Sequence, residues 1–272
     1  MSIAKVLDHG YLKLIEHWGS DARIIEAARM STDKGFMGWE RQTEWNCATC
    51  NYTLVNDADP SIVGTPYRCP NHPETLLTLK SSHPGDAKLL RYLYANKHMT
   101  PFEMAGMVIE VQAPIFVFRE WHRHRTQSYN ELSARYTPLP DVNYMPTVER
   151  LIMNAGTNKQ AQGTGKMLTD ETAEVYQEHL KLLYDHAQAA YETALKSGVP
   201  KELARLVIPV GRYSRMRASA NLRNWLAFLT LRMDPAAQWE IRQFAFAAGD
   251  LIAERFPRTW SLFNVTGPII TK

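Results

Sequence analysis

Cysteine is scarce in this chain: among 272 residues there are three, Cys47, Cys50 and Cys69, all in one short stretch. An odd number of cysteines with no recognisable secretory leader argues against a disulfide framework. The rest of the chain contains no thiol at all. We therefore expect any chemistry located elsewhere in the protein to proceed without a cysteine nucleophile.

Long apolar runs are also absent, because no stretch approaches the roughly 20 residues needed to cross a bilayer. The opening residues MSIAKVLDHG lack the basic-then-apolar layout of a secretory signal. Charge of one sign is not in large excess: the net charge is +3, which by itself does not call for a nucleic-acid partner. With 45% hydrophobic and 22% charged residues, we expect a soluble, cytoplasmic protein that binds neither membrane nor nucleic acid.

Hydrophobic periodicity predicts helices interspersed with a few strands, without a regular βαβ alternation. The predicted strands cover residues 107–112 and 213–220. Pro114 fits the first turn of a helix that runs to about His124. The other predicted helices cover 21–30, 86–97, 170–196, 200–207, 221–231 and 236–255. The helix at 236–255 is the last clear helix that the sequence predicts. Residues 154–166 indicate a mobile loop. The pattern favours an α+β fold.

Residues 37–83, called the insert below, interrupt this pattern with a turn-rich, weakly periodic stretch that contains every cysteine. We therefore predict a single domain over residues 1–272 with a small module inserted into it. Cys47-x-x-Cys50, eighteen residues, and then Cys69-x-x-His72 is a zinc-ribbon-like pattern. Four ligands in two pairs leave no open position, which favours structural zinc over catalytic zinc. The alternative is three unligated thiols beside a chance histidine.

A cluster of basic residues follows the helix that Pro114 opens: His122, Arg123, His124 and Arg125. Cations at a helix C-terminus complement the macrodipole, by about 0.3–1 kcal/mol each. That effect accounts for one or two basic residues but not for four in a row, which repel one another. The density of the cluster favours an external anion, and arginine offers bidentate geometry for phosphate.

If the chain is extended after Tyr129, alternate residues of the next segment share a face. The even positions give a core-like face made of Leu132, Ala134 and Tyr136. The odd positions present a carboxylate, a hydroxyl and a guanidinium side by side, on Glu131, Ser133 and Arg135. This second face suits a polar ligand better than it suits plain solvent.

These residues resemble the signature of flavin-dependent thymidylate synthases, in which Arg-His-Arg is followed after seven residues by Ser. Here the signature runs from Arg123 to Ser133, and the match includes Ser128, Asn130, Glu131 and Arg135. Upstream, residues 98–103 (HMTPFE) are similar to another element of that family. Downstream, similar blocks lie at 202–209, 221–223, 231–232 and 237–240.

The resemblance implies an antiparallel sheet with packed helices and a set of binding residues. It implies that FAD is held by Thr100, Arg123, His124, Arg125, Glu131, Asn221 and Arg223, with His98 a less secure contact to the flavin or folate. It implies that dUMP lies against Trp121, His122, Arg123, Glu131, Leu132, Ser133, Ala134, Arg135, Arg205 and Arg232. Glu120, next to this expected site, stands where the family usually has glutamine; it is either a repulsive neighbour of phosphate or paired with Arg119 or Arg123.

The activity that the resemblance implies is methylation of dUMP to dTMP. Methylenetetrahydrofolate would supply the carbon, reduced FAD the hydride and NADPH the reducing equivalents. It also implies a homotetramer whose active sites form where subunits meet. We predict that Arg232 is catalytic, because a permanently charged guanidinium beside N3 and O2 favours the ionised uracil edge. Ser133 is assigned to binding, since the sequence offers it no general base.

Two further departures from the family pattern are Met104 in place of a usual histidine and Ala227 in place of a polar flavin contact. Both bear on affinity and leave the reaction class untouched. Two other functions fit the same residues. A zinc-containing nucleic-acid-binding protein would show binding that falls steeply with salt. Another nucleotide-directed flavoprotein would bind FAD without making dTMP.

Overall fold

The computed structural model describes residues 3–56, 67–153 and 168–266. Its strands are β1 (Ile3–Val6), β2 (Gly10–Trp18), β3 (Gln42–Asn46), β4 (Thr53–Asn56), β5 (Thr78–His83), β6 (Gly106–Pro114), β7 (Ser128–Glu131) and β8 (Tyr213–Asn221). Its helices are α1 (Asp21–Arg29), α2 (Asp86–Ala95), α3 (Ile115–Trp121), α4 (Val148–Ile152), α5 (Asp170–Lys196), α6 (Lys201–Ala204), α7 (Leu222–Arg232), α8 (Trp239–Arg255) and α9 (Pro257–Thr266). Short 3-10 turns cover Met30–Thr32, Thr100–Met104 and Arg205–Val207.

The main sheet has five antiparallel strands in the order β1-β2-β6-β8-β7. Strand β6 lies at its centre, and its alternate residues Met107, Ile109 and Val111 are fully buried. β-Branched and long apolar side chains at period two favour such a strand. Within the described ranges strand β7 pairs with β8 alone, from Ser128 opposite Ser219 to Glu131 opposite Met216. It is therefore an edge strand, and the chain that leaves it passes directly into the candidate site.

Helices α3, α7 and α8 cover one face of this sheet and complete the main core. Trp121 stacks on Phe228 with ring centroids 4.7 Å apart, and Phe244 packs edge-on against the same indole at 6.3 Å. All three side chains are fully buried. An aromatic cluster of this kind buries a large apolar area and fixes the relative positions of the three helices. The end of α3, where the basic cluster begins, is thereby held rigidly.

The observed architecture confirms the predicted α+β fold with an antiparallel sheet and packed helices. Thr169 caps α5 by accepting a hydrogen bond from Thr172 N, and Gly198 adopts a left-handed φ of 80° just beyond its end. Asn221 caps α7 in the same way, through Asn224 N. The predicted helix boundaries agree because these caps are local chemistry.

A second, smaller sheet has the order β4-β3-β5 and lies entirely within the insert. Its hydrophobic cluster contains three buried residues, Cys47, Cys69 and Leu77, with Trp45 and Tyr67 packed against them. The sequence showed no clear periodicity here because such short strands bury little. Most positions of β3 and β5, and half of those in β4, are polar.

Three predictions about local structure were wrong or incomplete, and a fourth is not tested. The helix after Pro114 ends at Trp121, three residues early, because His122 and His124 close it with backbone hydrogen bonds to Phe118 and Trp121. Strands β1 and β2 were not predicted. Helix α9 extends the fold beyond residue 255, where we expected the last clear helix to end. The predicted mobile loop at 154–166 lies outside the described residues.

The predicted extended face from residue 129 to 136 is also corrected. The chain is extended only through Leu132, whose N–H still bonds Arg215 O at 2.7 Å. Ser133 then starts a turn, with its carbonyl accepting from Tyr136 N and Thr137 N. Tyr136, expected in the core, is 77% exposed. A single residue that leaves the sheet ladder breaks the period of two.

None of the helices in the described part of the chain is both long and apolar enough to span a membrane.

Candidate active site

A cavity of about 580 Å³ opens where β7 leaves the sheet. Its walls come from α3, from the turn after β7 and from the segment 205–210. Six of the predicted substrate-binding residues line it: His122, Glu131, Leu132, Ser133, Ala134 and Arg205. The tertiary fold thus brings together groups that are far apart in the chain.

The turn that shapes this cavity depends on Ser133. Its Oγ accepts a hydrogen bond from Arg135 N at 3.3 Å, and its carbonyl accepts two further backbone N–H groups. Ala134 is then 6% exposed, and its small side chain forms part of the cavity wall. Neither histidine nor carboxylate is hydrogen-bonded to Ser133 in the described residues. The geometry supports a binding role for this hydroxyl over a nucleophilic one.

Two polar residues of the cavity were not predicted from sequence. Ser214 on β8 is 2% exposed, lines the cavity, and has an Oγ without a hydrogen-bond partner in the described part of the chain. A buried hydroxyl left unpaired costs about 1–3 kcal/mol, so this atom is a ready donor to a ligand. Arg119 on α3 adds an exposed guanidinium to the same wall. Their positions follow from the register of β8 and the face of α3, which sequence spacing alone does not reveal.

Tyr129 holds the end of α3 in place. Its hydroxyl donates to Trp121 O at 3.1 Å and to His124 O at 2.8 Å, and its ring packs edge-on against His122. Burial raises the pKa of this phenol to about 12, so the group remains a donor at any working pH. The basic cluster is consequently a fixed structure rather than a frayed helix end.

The four members of the basic cluster are not equivalent. Arg123 and Arg125 are exposed and form no ion pair within the described residues. His124 points inward, and burial, together with the nearby Arg232 cation, lowers its pKa to about 4. A neutral His124 removes one of the expected like charges. Arg123 and Arg125 are therefore the permanent cations of the cluster, with the geometry that suits an anion.

Arg232, at the end of α7, makes three fixed contacts. Its Nε donates to His124 Nε2 at 2.8 Å, its Nη1 to Glu120 Oε2 at 2.8 Å and its Nη2 to the Glu120 carbonyl at 2.9 Å. Glu120 thus pairs with Arg232 and not with Arg119 or Arg123, which corrects that expectation. A guanidinium has five N–H donors, so two remain for a ligand. Both residues line a separate cavity of about 690 Å³.

Three of the predicted flavin contacts, Thr100, Asn221 and Arg223, lie around the start of α7. Asn221 caps this helix, Arg223 in its first turn pairs with Glu103, and Glu103 follows Thr100 in the 3-10 turn. The loop after Arg125 is tied to the same place, since Asn224 Nδ2 donates to Thr126 O at 3.2 Å. A helix N-terminus adds partial positive charge to these donors. The set is suited to phosphate.

Neither cavity is lined by Trp121, Arg135 or His98. Trp121 is wholly buried, and its Nε1 donates to Gln127 Oε1, so its side chain supports the site without lining it. Arg135 is exposed and pairs with Glu202 at 3.3 Å. His98 is exposed at the end of α2, with its ring edge-on to Tyr92.

An antiparallel sheet with a polar cavity and an exposed pair of arginines defines a protein with a site suited to a small anionic ligand. Residues 13–258 match the model of the family described as thymidylate synthase complementing protein. A flavin-dependent thymidylate synthase of Thermus thermophilus is 34% identical over 259 residues, which cover 95% of this chain and 77% of the relative. That of Thermosipho melanesiensis is 32% identical, with coverage of 98% and 96%.

Solved structures agree with this relationship. A UMP/dUMP methylase, PolB from Streptomyces cacaoi, bound with 5-Br dUMP, superposes with a TM-score of 0.70 at 28% identity, covering 98% of this chain and all of the other. Its complex with 5-Br UMP gives the same TM-score at 25% identity. The chain belongs to the flavin-dependent thymidylate synthase family.

Proposed function

We propose that this protein methylates C5 of dUMP to form dTMP, with methylenetetrahydrofolate as carbon donor, FAD as bound cofactor and NADPH as reductant. The observation that carries the proposal is the first cavity, which unites Glu131–Ala134 and Arg205, the segment that the family resemblance assigns to dUMP. Family membership replaces the alternative of a zinc-containing nucleic-acid-binding protein. The cavity is concave and polar at one side, as expected for a small anionic ligand.

The described residues also fit FAD. Arg123 and Arg125 offer exposed guanidinium groups without ion pairs in the described chain, and Asn221 and Arg223 lie at the N-terminus of α7. These donors would hold the pyrophosphate, with Thr100 beside them. Reduced flavin supplies hydride in this chemistry. None of the residues that line either cavity is a cysteine, so the protein's part is binding, orientation and charge stabilisation.

Ser214 adds a hydrogen bond to the nucleotide that only the structure indicates. The hydroxyl is buried, unpartnered in the described residues and on the cavity wall. Ser214→Ala removes the donor at little change in shape, and we expect the KM for dUMP to rise by about threefold to tenfold, as one neutral hydrogen bond warrants. Ser219, further along the same strand, provides the matched control. An unchanged KM for dUMP in Ser214→Ala would show that Ser214 does not hydrogen-bond the nucleotide.

Arg205 and Arg232 line different cavities of one chain, although the resemblance assigns both to dUMP. Exposed apolar residues line the first cavity: Leu206 is 78% and Val210 58% exposed. Leu183 of α5 is also 64% exposed. Apolar surface of this extent favours a subunit interface. We therefore assign Arg205 of one protomer and Arg232 of another to the same site in the proposed homotetramer.

Co-expression of two inactive variants tests the shared site. Arg205→Ala with Arg232→Ala should regain part of the activity, since mixed oligomers then contain some sites with both arginines. Arg205→Ala with Ser133→Ala is the control, and it should stay inactive because both changes lie in the same cavity. No recovery from the first pair, in oligomers shown to be mixed, would contradict the assignment.

The activity itself is tested by reoxidation of the reduced flavin under anaerobic conditions. We expect oxidation that requires both dUMP and methylenetetrahydrofolate, with dTMP as product. UMP is assayed as the alternative substrate, because the structural relative PolB is described as a UMP/dUMP methylase. A purified protein that binds FAD but forms no dTMP from dUMP, whether or not it forms 5-methyl-UMP from UMP, would overturn the proposal.

A further inference from the structure

The insert brings its four candidate metal ligands together in space. Cys47 and Cys50 lie on the turn between β3 and β4, whereas Cys69 and His72 lie on the turn that precedes β5. The three sulfur atoms and one ring nitrogen all lie within 4.8 Å of one another. Two turns separated by eighteen residues thus converge on one point, which chance placement of three thiols does not explain.

The spacing of these atoms is that of a zinc tetrahedron. With Zn–S near 2.3 Å and Zn–N near 2.0–2.1 Å, adjacent ligands should lie about 3.8 Å apart for two sulfurs and about 3.6 Å for sulfur and nitrogen. Cys50 Sγ and Cys69 Sγ are 3.7 Å apart, and His72 Nδ1 is 3.8 Å from Cys69 Sγ and 4.0 Å from Cys47 Sγ. The sulfurs are too far apart for a disulfide.

The groups that surround the sulfur atoms also support metal binding. Thr49 N donates to Cys47 Sγ at 3.4 Å, and Asn71 Nδ2 donates to Cys50 Sγ at 3.8 Å. Donors aimed at cysteine sulfur from within a turn are expected of metal-bound thiolates, whose charge they stabilise. Cys47 is 7% and Cys69 1% exposed, so the centre is shielded from solvent.

We propose that Cys47, Cys50, Cys69 and His72 bind one structural zinc ion, with His72 coordinating through Nδ1. Four protein ligands close the coordination shell, so the ion has no position for water or substrate. The ion takes the place of a hydrophobic core, because the three buried residues of the cluster in the described part of the insert cannot stabilise a three-stranded sheet of this size. The site is independent of the proposed thymidylate synthesis.

The experiment uses the full-length chain, purified with zinc, and measures metal content and thiol reactivity together. Elemental analysis should give about one zinc per chain. A mercurial reagent should release this zinc as it titrates the thiols, and all 3 cysteines of the chain belong to the cluster, so no other thiol contributes. Replacement by Co²⁺ should give the visible spectrum of a tetrahedral ion with thiolate charge-transfer bands.

Variants separate ligation from folding. His72→Asn should lose zinc, His72→Cys should retain it as a four-cysteine site, and His186→Asn on exposed α5 should behave as wild type. FAD content, measured on the same samples, distinguishes failure of this proposal from failure of the enzyme assignment. Zinc-free protein with three freely reactive thiols, or a His72→Asn variant that keeps its zinc, would overturn the proposal.

Discussion

The main domain and the insert differ in what stabilises them: the main domain has a large hydrophobic core, whereas the insert has a small one. The main domain buries one continuous cluster that runs from Val6 to Phe263 and includes stacked aromatic rings. In the described part of the insert, the hydrophobic cluster has three buried residues, Cys47, Cys69 and Leu77, two of which are candidate zinc ligands. A large core tolerates loss of any single contact, whereas a small one depends on its cross-links. The main domain and the insert should therefore respond separately to metal removal and to mutation.

The connection between the two regions belongs to the main domain. Asp86, at the start of α2, is fully buried and accepts hydrogen bonds from Arg29 Nε and from Met37 N. Arg258 lies over the ring of Trp39 at 4.3 Å, just before the first strand of the insert. Because these contacts clamp both ends of the insert, unfolding of the insert need not spread to the active site.

The largest expected effect is that of metal removal. Chelation should abolish hydrogen-exchange protection in β3, β4 and β5, since the zinc-binding free energy of so small a module is also its folding free energy. Strands β6 and β8 should keep their protection, and bound FAD should remain. Equal loss of protection in β6 would show that the two regions form one cooperative unit.

Arg125→Ala tests the other side of the comparison. The exposed guanidinium contributes nothing to the core, so the fold and the zinc content should be unchanged while FAD is lost on gel filtration. A charge-assisted hydrogen bond contributes about 1.5–3 kcal/mol, which corresponds to roughly 10-fold to 150-fold weaker binding. Arg91→Ala on exposed α2 is the matched control. Full flavin occupancy in the Arg125 variant would remove this residue from the FAD site.

Arg232 should affect rate more than binding. Arg232→Lys keeps the charge but loses the planar fork that contacts Glu120 and His124. We expect kcat to fall by about 10²–10³-fold, as for loss of an oxyanion-hole donor, with a smaller change in dUMP affinity. Arg232→Ala should lose more of both.

Glu120→Gln is the companion variant, because it retains an acceptor for Arg232 and removes the negative charge. The KM for dUMP should fall, since a carboxylate beside the nucleotide repels phosphate. Wild-type flavin reoxidation in Arg232→Ala at saturating dUMP would show that this residue does not activate the ring, and Arg135 would become the better candidate.

The smallest expected effect is a pH dependence confined to the main domain. His124 has its pKa lowered to about 4 by burial and by Arg232, whereas an unfolded histidine titrates near 6.5. Its contribution to stability is therefore complete above pH 6.5 and is lost as the pH falls toward 4. His124→Gln retains an acceptor without titrating, so its unfolding midpoint should vary less over this range. Parallel curves for the two proteins would contradict the assignment.

The sequence determined those features that depend on local chemistry. The caps of α5 and α7 and the pairing of cysteines two residues apart are each encoded within a few positions. The signature from Arg123 to Ser133 also identified the family, because it is long and unusual. None of these depends on which distant element packs nearby.

The tertiary structure, and not the local sequence, sets which distant residues form ion pairs, become buried or line the same cavity. It paired Glu120 with Arg232, 112 residues away, and it buried His124 beside the Arg232 cation, which lowers the pKa of that imidazole to about 4. It turned the chain at Ser133 where alternation predicted a strand, and it left Ser214 Oγ unpaired in the cavity. It also separated Arg205 from Arg232. The physical reason is common to all of these: burial, register and ion pairing depend on contacts between elements, and no local pattern in one chain specifies them.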